Sequence, residues 1–211
     1  MGPYAYIAIE GNIGAGKTTF SEMFASKNQC ELILERFEEN PFLERFYKDP
    51  KSHAFSVELA FVADRFKQLR ETLGSRNLFR QQVLADYSFS KSLIFAKANL
   101  PRSEFMLFKT MFRLMEAQLP QPEVIAILDP GLVKVKAQIV ERGRSYEQDM
   151  QEGYLEKVWA GYKEHYKFHR GSRVIWVDTS KIDFVKNKGD YQKLLSCILT
   201  PRKPGVYNIK P

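Results

Sequence analysis

The sequence predicts an α/β fold in three layers, a five-stranded parallel sheet between two layers of helix. Two observations carry this expectation. Apolar runs of strand length recur between longer amphipathic segments, which implies successive βαβ units. The glycine-rich stretch "EGNIGAGKTTF" lies between the first such run and a helical pattern, the position of a strand-to-helix phosphate loop.

Five strands are predicted: "YAYIAIE" (4–10), "CELILERF" (30–37), "VLADY" (83–87), "VIAILD" (124–129) and "VIWVDTS" (174–180). Several are apolar at successive positions, as parallel strands covered on both faces require. Over 52–77, Phe55, Leu59, Val62, Phe66, Leu69 and Leu73 fall three or four apart and form one face of a long helix. Phe105, Phe108, Phe112, Met115 and Leu119 repeat the pattern as a core stripe. "LPQP" (119–122) ends that helix, and the tail from 200 to 211 is predicted to be irregular. No internal repeat or low-complexity linker interrupts the chain, so residues 1–211 are expected to form one domain.

Hydrophobic residues make up 44% and charged residues 27%, the balance of a globular protein. The net charge of +7 comes from scattered lysines and arginines and not from a stripe, which argues against a nucleic acid partner and suits a site for phosphates. Cys30 and Cys197 are far apart and outside any metal or disulfide pattern, as in a reducing cytoplasm. No run approaches the ~18 apolar residues of a membrane span, and no leader pattern precedes the first strand. A cytoplasmic protein is expected.

Gly11, Gly16, Lys17 and Thr18 fit G-x-x-x-x-G-K-[ST]. In such a loop the residues Gly11, Asn12, Ile13, Gly14, Ala15 and Gly16 turn successive N–H groups toward phosphate oxygens, with Thr19 following in the first helical turn. Lys17 would reach the β- and γ-phosphates, and the Thr18 hydroxyl would ligate Mg²⁺. The expected ligand is a nucleoside triphosphate, ATP, with Mg²⁺. The loop alone does not separate kinases from GTPases or motor ATPases. Asp129, at the end of "VIAILD", could imitate the acid of a motor ATPase, but "DPGL" reads as a turn into a helix with Asp129 as its cap.

Three further stretches narrow the choice: "LERFEENPFLERFYKDP" (34–50), "SLIFAKANL" (92–100) and "ERGRSYEQDMQEGYLEKV" (141–158). With the phosphate loop they make the chain resemble the deoxynucleoside kinase family of P-loop kinases, specifically its bacterial deoxyadenosine/deoxyguanosine kinase branch. The likeness runs from residue 5 to about 185. It implies that Glu35 contacts the nucleoside 5′-hydroxyl, Tyr47 and Glu147 the sugar 3′-hydroxyl side, and Glu58 the nucleobase. It also implies that residues 142–153 form a lid, that Asp183 and Phe184 flank the ATP adenine, and that the protein is a homodimer. The lid has a reason of its own: Arg142 and Arg144, one residue apart, can neutralise the charge of a transferring phosphoryl group while excluding water.

The sequence departs from the family at two points. Relatives end the third strand in an acid, an arginine and a serine; here the triplet is Asp86-Tyr87-Ser88. Asp86 remains as the expected proton acceptor, but Tyr87, at a substrate-binding position, carries no charge, and Lys91 is the nearby candidate to replace the arginine. Glu58 stands where relatives carry a glutamine. An ionised glutamate only accepts hydrogen bonds, which favours a base that presents donors and disfavours thymidine. The expected reaction is ATP-dependent 5′-phosphorylation of a deoxynucleoside, the expected substrates being the purines deoxyadenosine and deoxyguanosine, with Asp86, Glu35, Arg142 and Arg144 as the catalytic set. A nucleoside monophosphate kinase and a degenerate, nucleotide-binding regulatory protein are the alternatives.

Overall fold

The computed structural model describes residues 3–74 and 82–211, apart from the side chain of Gln148. The described residues form six parallel strands: β1 (Tyr6–Gly11), β2 (Glu31–Ile33), β3 (Val83–Ala85), β4 (Val124–Asp129), β5 (Arg173–Asp178) and β6 (Gly205–Ile209). Their order is β2-β3-β1-β4-β5-β6. β1 lies between β3 and β4, and the chain runs from β1 through β2 and β3 on one side before crossing to β4 on the other, so a crevice opens at the carboxyl end of β1, the usual ligand position in such sheets.

The sixth strand corrects the five-strand expectation. Val206, Tyr207 and Asn208 pair in parallel with Val174, Ile175 and Trp176, within the tail expected to be irregular. Pro201 and Pro204 mask the signal, and the strand is short and half-buried at the sheet edge. The second strand is also shorter than the apolar run "CELILERF" suggests. The chain leaves the sheet after Ile33 because the Glu35 backbone N–H donates to Asp86 Oδ1 at 2.8 Å.

Helices α1 (Lys17–Asn28) and α8 (Lys188–Leu199) cover one face of the sheet, against Ile7, Ile9, Val124, Ala126 and Leu128. Helices α3 (Pro50–Gly74), α4 (Ser90–Asn99), α5 (Arg102–Glu116) and α7 (Tyr154–Tyr166) cover the other. Alternation along β4 divides its side chains: Ile125 and Ile127 point to α4 and α7, their neighbours to α1 and α8. The remaining helices, α2 (Leu43–Lys48) and α6 (Leu132–Arg142), border the crevice. The predicted Phe/Met stripe of α5 is inward, with Phe112 stacked on Phe89 at 4.8 Å. In α3 the buried face adds Glu58, Arg65 and Gln68 to the apolar stripe. Residues 75–77 of that predicted helix lie outside the described residues.

One buried carboxyl group ties β1, the turn after β3 and α7 together. Glu10, next to last in β1, accepts from the Ser88 backbone N–H at 2.7 Å and the Ser88 hydroxyl at 2.8 Å through Oε1. Its Oε2 accepts from the Tyr162 hydroxyl of α7 at 2.7 Å, with a longer contact of 3.4 Å from Gly11 N–H. A Tyr162→Phe variant should therefore lose about 1–3 kcal/mol, the cost of leaving a buried acceptor short of its donor. Urea unfolding should show a lower midpoint with an unchanged slope; an unchanged midpoint would refute the tie.

Candidate active site

The phosphate loop occupies the crevice. Gly11 (φ 144°) and Gly14 (φ 76°) hold backbone angles that favour glycine. A Cβ on Gly11 would sit 2.7 Å from the Leu128 carbonyl oxygen, and one on Gly14 would sit 2.7 Å from Ile139 of α6. The loop is thereby pressed against both the sheet and the helix that leads into the lid. Asn12 and Ala15 are buried, Ile13 and Gly16 partly so, and Thr19 is exposed. The Asn12 side chain is spent on the structure: its amide donates to the Leu155 carbonyl at 2.9 Å and its oxygen accepts from Ile13 N–H at 2.9 Å. Lys17 folds back to donate to the carbonyls of Asn12 (2.8 Å) and Gly11 (3.1 Å). Burial, reinforced by the charge of Lys91, lowers its ammonium to about 8.

Asp86 and Glu35 meet beside this loop. Asp86 Oδ2 accepts from the Thr18 hydroxyl at 2.7 Å, so two oxygens stand together at the start of α1. That pair suits Mg²⁺, which binds through one or two protein oxygens and takes the rest from phosphates and water. Burial, with the Glu35 charge beside it, raises the Asp86 carboxyl. Glu35 is clamped by cations: Oε1 accepts from Arg65 Nε (2.9 Å) and Nη2 (2.5 Å), and Oε2 from Lys91 Nζ (2.6 Å). Burial opposes its ionised form, but the Lys91 and Arg65 charges outweigh burial and hold its carboxyl well below the usual range. Lys91 thus brings a positive charge beside Glu35.

The cavity continues to Glu58, which is buried on α3. Its Oε1 accepts from Asn99 Nδ2 at 2.6 Å, and Asn99 also donates to the Tyr154 hydroxyl at 3.1 Å. Glu58 Oε2 is buried and has no hydrogen-bond partner. The lid arches over the same cavity. Arg142 donates to both Glu147 oxygens at 2.5 and 2.7 Å, and Arg144 lies 3.6 Å from Glu147 and 3.8 Å over the Phe37 ring. Tyr146 stacks on Tyr47 at 5.9 Å. One cavity is therefore lined by Lys17, Thr18, Glu35, Tyr47, Glu58 and Asp86 together with Arg142, Arg144 and Glu147.

Three expected residues lie elsewhere. Tyr87 is fully buried and does not line the cavity. Its hydroxyl donates to Gln68 Oε1 at 2.6 Å within the core, because the side chain after Asp86 alternates to the opposite side. The Asp183 carboxylate accepts from Val185 and Lys186 N–H and so closes its own loop. Phe184 packs edge-on to Phe20 and backs Gly16 from the α8 side. Just beyond it, Asn187-Lys188-Gly189-Asp190 fits the N-K-x-D pattern with which GTPases read guanine. Here both polar side chains are engaged locally: Asn187 caps α8, and Asp190 accepts from Asp183 N–H at 3.0 Å. Asp129 accepts from Gly131 N–H at 3.1 Å in the turn before α6.

The structure adds Arg65, Asn99, Tyr146 and Tyr154 to the cavity, which Lys91 also lines. Of these added residues Arg65 had a signal, since it follows Glu58 by two helical turns on one stripe.

The comparisons agree with this geometry. The deoxynucleoside kinase family model matches residues 7–200. A deoxyguanosine kinase of Bacillus subtilis is 34% identical over 198 residues, covering 92% of this chain and 96% of its own. A deoxyadenosine/deoxycytidine kinase of the same organism is 22% identical over 196 residues, covering 91% and 90%. A solved structure of deoxyadenosine kinase from M. mycoides, with the products dCMP and a flexible dCDP bound, superimposes with a TM-score of 0.77 at 26% identity, covering 90% of this chain and 96% of that one. With a phosphate loop, a carboxylate pair and an arginine lid around one cavity, and with this match over most of its length, the chain belongs to the deoxynucleoside kinase family.

Proposed function

We propose that the protein transfers the γ-phosphoryl group of ATP to the 5′-hydroxyl of a purine deoxynucleoside, deoxyadenosine or deoxyguanosine, giving the monophosphate for nucleotide salvage. The observation that carries the reading is the single cavity joining Lys17 and Thr18 at one end to Glu58 at the other, with Asp86 and Glu35 between them. Lys17 and the loop N–H groups hold the phosphates. Thr18 is the residue that would hold Mg²⁺, whose charge offsets that of the phosphate oxygens. Asp183 and Phe184 flank the adenine through their backbone. Arg142 and Arg144 neutralise the transferring group, and Tyr47 with Glu147 faces the sugar.

Asp86 takes the proton of the 5′-hydroxyl. Its carboxyl is raised by burial, whereas Glu35 is held ionised by two cations and orients the hydroxyl. The 2.7 Å contact between Asp86 and Thr18 favours a second assignment, in which Asp86 works beside Mg²⁺ and Glu35 accepts the proton. A nucleoside, and not a monophosphate, suits the acceptor end, because Lys91 and Arg65 are already paired with Glu35 and leave no free cation for a second phosphate among the described residues there. The exposed Met106, Leu107 and Leu114 of α5 support a homodimer, working in the cytoplasm.

Assays over the four deoxynucleosides with Mg·ATP should give turnover, and none with any of them would refute the reading. Asp86→Asn should lower kcat about 10²- to 10⁴-fold while leaving ATP affinity nearly intact. Partial recovery at high Mg²⁺, with the larger loss in Glu35→Gln, would instead favour the second assignment. The pH dependence of ATP binding follows from Lys17. Its ammonium is lowered to about 8 in the free protein, and bound phosphates favour the charged form. Binding should take up a proton above that pH, and affinity should fall as pH rises through it. Calorimetry in buffers of different ionisation enthalpy reads the proton directly, and no uptake would rule Lys17 out as the titrating group.

A further inference from the structure

The crevice opens where β1 parts from β3, and one side chain of β1 crosses the gap. The ladder between the two strands ends at Ala8 and Ala85. Glu10 and Gly11 pair instead with Ile127 and Leu128 of β4. From there it is the Glu10 side chain that reaches the segment after β3. Its Oε1 accepts from both the backbone N–H and the hydroxyl of Ser88, at 2.7 and 2.8 Å.

Packing alone would not choose an acid at this position. Ile7 and Ile9 of the same strand are buried apolar side chains, and Glu10 is as fully buried as they are. Withdrawing a carboxyl group from water is costly, and apolar residues of similar volume often replace buried charges without loss of stability. What the acid offers is two acceptor oxygens on one rigid plane. Oε1 grips Ser88 twice, which fixes the direction of that residue as well as its distance. Oε2 is held by the Tyr162 hydroxyl at 2.7 Å, and Tyr166, one turn further along α7, lies 3.0 Å from the Ser88 hydroxyl. Both tyrosines are fully buried, so the grip is anchored in the core.

Ser88 stands two residues after Asp86, on the segment that carries that carboxylate to the phosphate loop. From the front, Asp86 is held by its own oxygens: Oδ2 accepts from Thr18 and Oδ1 from Glu35 N–H. When Oδ2 takes the acceptor proton it gives up the bond to Thr18. What then keeps the carboxylate in place is the Glu35 N–H on its other oxygen and the grip on Ser88 behind it. We propose that Glu10 is a positioning residue for phosphoryl transfer, which through Ser88 holds the segment that presents Asp86 to the acceptor hydroxyl. This rests on the reading of Asp86 as a residue of the reaction. Glu10 does not line the cavity, so its effect on the substrates passes through Asp86.

The test is a double-mutant cycle in kcat, with Mg·ATP and the deoxynucleoside that the wild type phosphorylates fastest. Glu10→Gln keeps the shape of the side chain but turns one acceptor oxygen into a donor. It should lower kcat about 10- to 100-fold, the effect of a small misplacement, with KM for both substrates nearly unchanged. In Asp86→Asn protein the same change should cost about twofold or less, because the group it positions is already lost. A merely structural carboxylate would lower the unfolding midpoint and leave the kcat of the folded protein at the wild-type value, or would lower kcat by the same factor in both backgrounds. Either result overturns the proposal. Should Glu10→Gln fail to fold by circular dichroism, Ser88→Ala takes its place in the cycle, since it removes the hydroxyl bond and keeps the N–H. A wild-type kcat in that variant, or an equal factor in both backgrounds, overturns the proposal as well. If Asp86→Asn itself keeps the wild-type kcat, the reading of Asp86 fails and the inference falls with it; two full single losses that simply multiply defeat the inference alone.

Discussion

The ionic clamp on Glu35 is the constraint around which the site is arranged. Its carboxylate joins Arg65 of α3 to Lys91 of α4, just beyond the end of β2, and all three side chains are largely withdrawn from water. Two cations on one carboxylate in such surroundings are a costly grouping, since each ion gives up its hydration and regains it only through good geometry. Removing one member would strand the others, typically at a cost of about 3–5 kcal/mol. The clamp therefore fixes the spacing of two helices and one strand end, and that spacing makes the cavity between the phosphate loop and Glu58.

The clamp also explains how the chain dispenses with an arginine at position 87. Tyr87 turns into the core and bonds Gln68, whose amide in turn donates to the Leu34 carbonyl at 2.9 Å. The positive charge reaches the carboxylates from Lys91, in the first turn of α4. An arginine fork and a lysine ammonium are not equivalent, because the lysine offers a compact charge without bidentate geometry. Arg65 supplies the planar fork from a different helix. The positive charge beside Glu35 is here divided between side chains of two helices.

Much of this was legible in the sequence where the signal is local. The phosphate loop is a run of adjacent residues whose backbone geometry dictates glycine, and β4 is an unbroken apolar run matched to the residue. The lid arginines are likewise one residue apart. What escaped depends on distance. Asn99 and Glu58 are separated by 41 positions and meet only through the packing of α3 on α4. Gln68, buried on α3 with Glu58 and Arg65, reads as part of the outer face under hydrophobic patterning, because polar residues are buried only when a partner elsewhere receives them. The N-K-G-D tetrapeptide shows the converse: a short pattern with a familiar meaning serves only to start a helix.

The sixth strand bears on how the molecule behaves in a crowded solution. β5 carries Val174, Ile175 and Val177, buried apolar residues whose outer ladder of N–H and C=O groups would be a ready template for another chain if left bare. β6 covers that ladder and becomes the edge itself. It is suited to the position: five half-buried residues preceded by Pro204 and followed by Lys210 and Pro211, the kinds of residue that discourage further strand addition. The segment that reads as a mere tail is thus a guard against self-association through the sheet.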